Sequence, residues 1–279
     1  MKTIGALQER LETDGFAVIE GFKSGAAIAE LRARAAEIVD AFDPSVASGV
    51  FSAADEKERA DEYFLGSGST VRCFFEEEAF DANGELRQPK ALSINKIGHA
   101  MHDLDPVFEA FSHGAELDAL ARDLGMSDPR VYQSMYIFKQ PHIGGEVGWH
   151  QDATFFATEP NTVTTFWFAL EHADQNNGCL WVEPGGHRGP LRERFVAGPD
   201  GLRTERVDAT PWPTDNAEPI EVEAGTLVLF HGLLPHYSAP NRSTTSRHAY
   251  TLLAVDGRAR YAAENWLQRP ASFPPRGFV

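Results

Sequence analysis

Trp149-His150-Gln151-Asp152-Ala153-Thr154-Phe155-Phe156 is the stretch from which the fold and the chemistry can be read. The run reads as a strand. Residues i and i+2 of a strand point to one face, so His150 and Asp152 converge while Gln151 turns away. One imidazole and one carboxylate are two thirds of the facial triad that holds non-haem Fe(II) and leaves coordination positions open. Taken alone, the pair fits a plainer reading better: an Asp that orients a core His. The rest of the chain has to supply a second His and a use for the metal.

At 279 residues the chain is one large domain or at most two, and 42% hydrophobic residues with 19 Phe and 5 Trp suffice for a sizeable core. A net charge of −16 argues against nucleic acid and anionic membranes as partners, which both require a basic patch. It leaves room for an anionic small molecule met by a few local Arg and Lys. Two cysteines, Cys73 and Cys179, make no disulfide framework. With no apolar leader after Met1 and no run of ~20 apolar residues, they lead us to expect a cytoplasmic protein. No protein partner is predicted.

The N-terminal part predicts a short helix over 3–13, a strand at Phe16-Ala17-Val18-Ile19, and a helix over 25–41 that Ser24 caps, with Ile28, Leu31, Ala35 and Ile38 on one face. Residues 43–70 are rich in Ser, Gly and charge and read as a mobile loop, either plain surface or an active-site lid. Val71–Glu76 reads as a strand and Asn83-Gly84 as a tight turn. Lys96 interrupts the apolar segment 91–100. If it points inward it requires an anion, because an unpaired buried ammonium is costly; the alternative is a Lys snorkelling from a sheet edge. Helical spacing returns over 105–124, with Pro106 at a helix start. Strands then follow at 130–138, 146–151, 163–170, 179–183, 219–223, 225–231 and 246–255, separated by Gly, Pro and Asn turn signals. The expected fold is mainly β with flanking helices: a jelly-roll, cupin-like double-stranded β-helix over 126–256, a mostly helical flank and lid over 1–125, and a tail over 257–279. The Arg- and Pro-rich 188–218 reads as a surface excursion.

Two His stand near the end of the apolar strand Thr226-Leu227-Val228-Leu229-Phe230-His231, continued by Gly232-Leu233-Leu234-Pro235-His236; geometry alone does not choose between His231 and His236. Arg247 follows, in phase with Ala249, Thr251 and Leu253. An Arg on the inner face of a barrel strand calls for a carboxylate or phosphate, whereas at a rim it is an ordinary salt bridge.

The order His150-x-Asp152, His236-x-Ser238-x-x-Asn241-x-Ser243 and Arg247 resembles the phytanoyl-CoA dioxygenase family of Fe(II)/2-oxoglutarate oxygenases. Matching segments run from about residue 90 to near the C-terminus: Ser93–Ala100, Gln133–His142, Gly144–Val147, His150–Ala153, Asn177–Trp181, Pro184-Gly185 and Glu264–Gln268. The resemblance implies that His236 is the second imidazole ligand beside His150 and Asp152. It implies that Arg247 clamps the distal carboxylate of 2-oxoglutarate with a hydrogen bond from Ser238. Lys96, Met135 and Trp167 match positions lining that cosubstrate's pocket, which gives Lys96 its anion.

The expected activity is therefore an Fe(II)- and 2-oxoglutarate-dependent dioxygenase, using O₂ and releasing succinate and CO₂. The related halogenases replace the carboxylate ligand with a small residue, so Asp152 favours hydroxylation. Trp149 and 188–218 depart from the family's pattern, and the substrate is not carried over. Phe138, Trp149, Phe155 and Phe156 suggest an aromatic pocket for an apolar or amphipathic small molecule. The rival readings are a cupin-like metalloenzyme of another class, which would not need Arg247 and Lys96 to face the pocket, and a binding protein that has lost turnover.

Overall fold

The computed structural model describes residues 4–44, 62–198 and 201–279. Helices and strands alternate first: α1 (Ile4–Thr13), β1 (Phe16–Ile19), α2 (Gly25–Ala41), α3 (Glu62–Leu65), β2 (Val71–Phe75), β3 (Ile94–His99), α4 (Met101–Leu104), α5 (Pro106–Ser112) and α6 (Ala115–Asp123). Strands follow: β4 (Pro129–Ile137), β5 (Val147–His150), β6 (Thr158–Glu159), β7 (Thr164–Ala169), β8 (Leu180–Val182), β9 (Glu193–Gly198), β10 (Gly201–Arg206), β11 (Glu218–Ile220), β12 (Leu227–His231), β13 (His236–Ser238), β14 (Ala249–Asp256) and β15 (Arg260–Tyr261).

Among the described residues, seven strands form one sheet in the order β1-β12-β7-β14-β4-β3-β2 and four form another in the order β11-β8-β13-β5. Every pairing within them is antiparallel. Through β4, β5, β7 and β8, and again through β12, β13 and β14, the chain steps from one sheet to the other, the winding of a double-stranded β-helix. Three of the seven strands in the larger sheet, β1, β2 and β3, come from the N-terminal stretch that reads mostly as helical flank.

The larger sheet is buried on both faces, so its strands read as near-continuous apolar runs. In β12, Leu227 and Leu229 meet the helices, while Val228 and Phe230 turn to the second sheet. On the helical side, Ile28, Leu31, Ala35 and Val39 of α2 pack with Phe108 and Phe111 of α5 over Tyr136, Phe168, Tyr250 and Leu252. Val39 takes the fully buried place that the sequence spacing gave to Ile38, which lies at the edge of this core. Ser24 caps α2 by accepting from the Ala27 amide at 3.2 Å. Asp105 caps α5 by accepting from the amides of Val107 and Phe108, with Pro106 in the first turn.

Two expectations are corrected by packing. The excursion 188–218 contains the β9–β10 hairpin, whose Phe195, Val196 and Leu202 are buried and whose Ala197 amide bonds Glu264 O at 2.7 Å. Its Arg and Pro content hid these apolar side chains. In the loop expected over 43–70, residues 45–61 lie outside the described residues. Gly66–Ser69 is a 3-10 turn with Ser67 and Gly68 buried, held by Ser67 Oγ to Phe64 O at 2.5 Å and to His99 Nδ1 at 2.7 Å.

Candidate metal centre

β5 and β13 pair in the smaller sheet with His150 directly opposite His236. Cross-strand neighbours share a face, so the two imidazoles meet with ring centroids 4.0 Å apart. Asp152 does not continue the strand. Gln151 is extended, and Asp152 opens the 3-10 turn Asp152–Thr154, held by the Ala153 amide bonding Gly232 O at 2.8 Å. The turn carries the carboxylate back beneath the imidazoles. Asp152 Oδ1 lies 3.8 Å from Nε2 of His150 and 3.8 Å from Nε2 of His236. The donor atoms of all three residues fall within 4.8 Å of one another.

The surroundings select the atoms that can bind. His150 Nδ1 meets Gly148 O at 2.8 Å and His236 Nδ1 meets Leu234 O at 3.0 Å. A carbonyl only accepts, so each Nδ1 carries the proton and each Nε2 presents a lone pair. Asp152 Oδ2 accepts from Thr165 Oγ1, and Oδ1 remains to face the imidazoles. Two neutral imidazoles and one carboxylate oxygen are the donor set that suits Fe(II), so the residues present fit this metal.

His231 is set apart from this group. It ends β12, its Nδ1 accepts from the Leu233 amide at 3.1 Å, and burial beside His187 holds its pKa down to about 4.

Arg247 is fully buried just before β14. Nε donates to Gly178 O at 3.0 Å and Nη2 to Ser238 Oγ at 3.2 Å, while buried Nη1 has no hydrogen-bond partner among the described residues. The guanidinium stands over the Trp167 ring at 5.5 Å. Burial lowers its pKa to about 10, which leaves it charged at neutral pH. An unmatched buried guanidinium donor invites an acceptor oxygen. Ser238 is two residues beyond His236 on β13, about 7 Å along a strand. Its hydroxyl proton goes to Gly178 O at 2.9 Å, so Ser238 holds Arg247 by accepting from it.

Lys96 on β3 and Met135 on β4 come together, with Nζ 4.0 Å from Sδ. Lys96 is buried beside the rings of Phe74 and Phe64, at 5.7 and 6.0 Å, which places it inside the barrel and excludes the snorkelling alternative. Thr251 pairs with both Met135 and Trp167, so these residues lie in one row across the sheet.

The four aromatic candidates separate. Phe155 lies beside the centre, 6.3 Å from the His150 ring and 5.6 Å from Phe195. Phe156 is buried against Trp266. Phe138 shares the face of Tyr136 and packs in the helical-side core with Tyr136 and His248, so it does not line a pocket at the metal centre. Trp149 alternates with His150, projects from the opposite face of the smaller sheet and stacks on Tyr237 at 5.6 Å. Both corrections follow from strand alternation. Phe155 and Phe156 share one packed aromatic cluster with residues that the sequence reading did not single out: Phe195, Phe64 and Trp266, the last two stacked at 4.8 Å. Thr165 was missed as well; its phase with Trp167 along β7 was the available signal.

A double-stranded β-helix with two His and one Asp converging near a buried arginine defines the cupin-like oxygenase class of fold. The family model for phytanoyl-CoA dioxygenase (PhyH) matches residues 11–249. The chain belongs to this family of dioxygenases. It is 45% identical to "Phytanoyl-CoA dioxygenase" of Arabidopsis thaliana over 92% of this chain and 90% of that one. It is 44% identical to "Phytanoyl-CoA dioxygenase domain-containing protein 1" of Bos taurus over 95% of each chain. The fold is shared with the crystal structure of the epimerase SnoN in complex with Fe3+, alpha ketoglutarate and nogalamycin RO, at 16% identity and a TM-score of 0.64 over 98% of each chain. Among the described residues, no helix is long and apolar enough to cross a membrane.

Proposed function

We propose that the chain is an Fe(II)- and 2-oxoglutarate-dependent dioxygenase that hydroxylates an apolar or amphipathic small molecule. The observation that carries this reading is the orphaned Nη1 of buried Arg247, whose Nη2 bonds Ser238, two residues along β13 from His236. Two strand residues rise about 7 Å, a spacing on the scale of a five-carbon dicarboxylate reaching from the metal centre toward the guanidinium.

His150 and His236 give Nε2 lone pairs, and Asp152 gives Oδ1. Arg247 Nη1 takes the distal carboxylate, with Ser238 and Gly178 holding the guanidinium in aim and Trp167 closing its flat face. Lys96 adds a positive charge from the β3 side, and Met135 fills the space against it. Iron with 2-oxoglutarate and O₂ supplies oxidative decarboxylation of the keto acid to succinate and CO₂, coupled to oxygenation of a substrate C–H bond. Phe155, with Phe195 behind it, gives the substrate an apolar surface beside His150 and keeps water from it. Phe156 supports this wall from the core.

No protein partner is required by this reading. Two buried free cysteines suit a reducing compartment, and we place the protein in the cytoplasm. The test is anaerobic addition of 2-oxoglutarate to the Fe(II)-loaded protein. A visible metal-to-ligand absorption band is expected, and its absence overturns the proposal.

A further inference from the structure

The two oxygens of Asp152 have different neighbours. Oδ1 looks toward the Nε2 atoms of His150 and His236, 3.8 Å from each. Oδ2 takes the hydrogen bond from Thr165 Oγ1. Thr165 is 3% exposed, on the inner face of β7 and in phase with Trp167, so bulk water does not compete for its hydroxyl. Among the described residues, no other side chain donates a hydrogen bond to this carboxylate. The backbone beneath Asp152 is already fixed, because the Ala153 amide bonds Gly232 O and the Phe155 amide bonds Asp152 O at 3.0 Å. What remains free is rotation of the carboxylate about its own axis, and the Thr165 bond acts on that rotation.

We infer that Thr165 is a positioning residue that reserves Oδ1 of Asp152 for the metal. With Oδ2 engaged, the carboxylate is held as a single-oxygen donor. A carboxylate free to turn can offer both oxygens, and the second consumes a position that the facial donor set otherwise leaves open for a chelating keto acid. A hydroxyl from the facing sheet thus sets the number of donor atoms that the turn presents. The same restraint lowers the freedom lost when the ligand set closes on a metal. The inference rests on the Fe(II) reading of the site.

The test uses the full chain as wild type and as Thr165→Val, Thr165→Ala and Thr165→Ser. Valine keeps the β-branched shape and removes the donor, alanine removes the donor with less bulk, and serine keeps it. Anaerobic Fe(II) titration by calorimetry gives the metal affinity, 2-oxoglutarate titration of the loaded proteins gives the cosubstrate affinity, and thermal unfolding of the metal-free proteins controls for the fold. Thr165→Val and Thr165→Ala should each bind Fe(II) about tenfold more weakly or worse, with weaker 2-oxoglutarate binding on top. Thr165→Ser should stay near wild type, and Thr165→Val and Thr165→Ser should melt as the wild type does without metal. Wild-type affinities in both donor-free variants overturn the inference, as does a serine variant as weak as the valine one. A wild-type protein that binds no Fe(II) overturns the functional reading itself, which keeps the two failures distinct.

Discussion

His150 and His236 stand opposite one another across β5 and β13, and each ties its Nδ1 to the carbonyl of the residue two places before it. The two imidazoles are thus set to the same tautomer by the same local device before any metal arrives.

The first prediction separates His236 from His231. His236→Ala should lose Fe(II) affinity by more than the ~100-fold that loss of an outer-sphere partner costs at the upper end. His231→Ala should bind Fe(II) as the wild type does and lose only about 1 kcal/mol of stability, from the bond to the Leu233 amide. Fe(II) titration and denaturant unfolding of both variants check this. A metal-binding defect in His231→Ala contradicts the assignment.

Arg247 should matter far more to binding than to folding. A buried guanidinium with an orphaned Nη1 stabilises a bound carboxylate at a cost to the empty protein. Arg247→Met should weaken 2-oxoglutarate binding by about 30-fold or more, equivalent to about 2 kcal/mol. It should also abolish the rise in Tm that 2-oxoglutarate gives the wild type, while leaving the unfolding free energy of the ligand-free protein within about 1 kcal/mol of wild type. Thermal shift with and without 2-oxoglutarate reads both quantities.

The aromatic wall makes a third contrast. Phe195→Ala removes a buried ring that supports Phe155 and should cost about 3–5 kcal/mol of stability. It should also broaden the range of small molecules that raise succinate production. Trp149→Ala, on the opposite face of its strand from His150, should leave that range unchanged. A substrate panel scored by succinate release decides between the two positions.

Lys139 supplies a pH dependence. Its ammonium is buried, donates to Gly145 O at 2.6 Å and Ser238 O at 3.3 Å, and is pulled down to about 7. Burial is the largest cause and repulsion from Arg247 the next; Glu76 and Glu146 act against them, and Arg242 adds to the lowering. Between pH 7 and the ordinary value of 10.5 the unfolded chain binds the proton that the folded chain has released. Stability therefore rises with pH across that window, and the charged lysine's cost is fully present below it. Urea unfolding at pH 7 and pH 9 should show the wild type gaining on Lys139→Met as pH rises. A difference that is flat or falls would contradict the assignment.

The sequence showed the metal centre more plainly than its walls. His150 and Asp152 could be paired from spacing alone, although the spacing works through a turn at Asp152 and not through a continued strand. His236 and His231 could not be separated by spacing, because the choice is made where the chain leaves β12 and returns as β13 in the other sheet. Arg247 and Lys96 were legible as charges in apolar strands, since such charges require a reason. Phe138 and Trp149 stand apart from the site because an aromatic residue's identity does not say which face of its strand it occupies, and alternation sends both to other faces. Phe195 was hidden in a stretch whose Arg and Pro content suggests solvent. Thr165 gave little signal, because threonine is an ordinary strand residue until its hydroxyl is found against a ligand.

Gln151, the residue turned away from the metal, has a consequence for anyone remaking this site. Its amide nitrogen donates to Pro190 O at 3.1 Å and Leu233 O at 2.8 Å, and its carbonyl oxygen accepts from the Arg192 amide at 3.0 Å. The peptide that carries His150 and Asp152 is thereby stapled to the root of the β9–β10 hairpin. A graft that exchanges the hairpin between relatives has a natural seam after Arg192: cut there, the aromatic surface is a replaceable cassette, and cut earlier, the exchange unpicks the metal centre along with it.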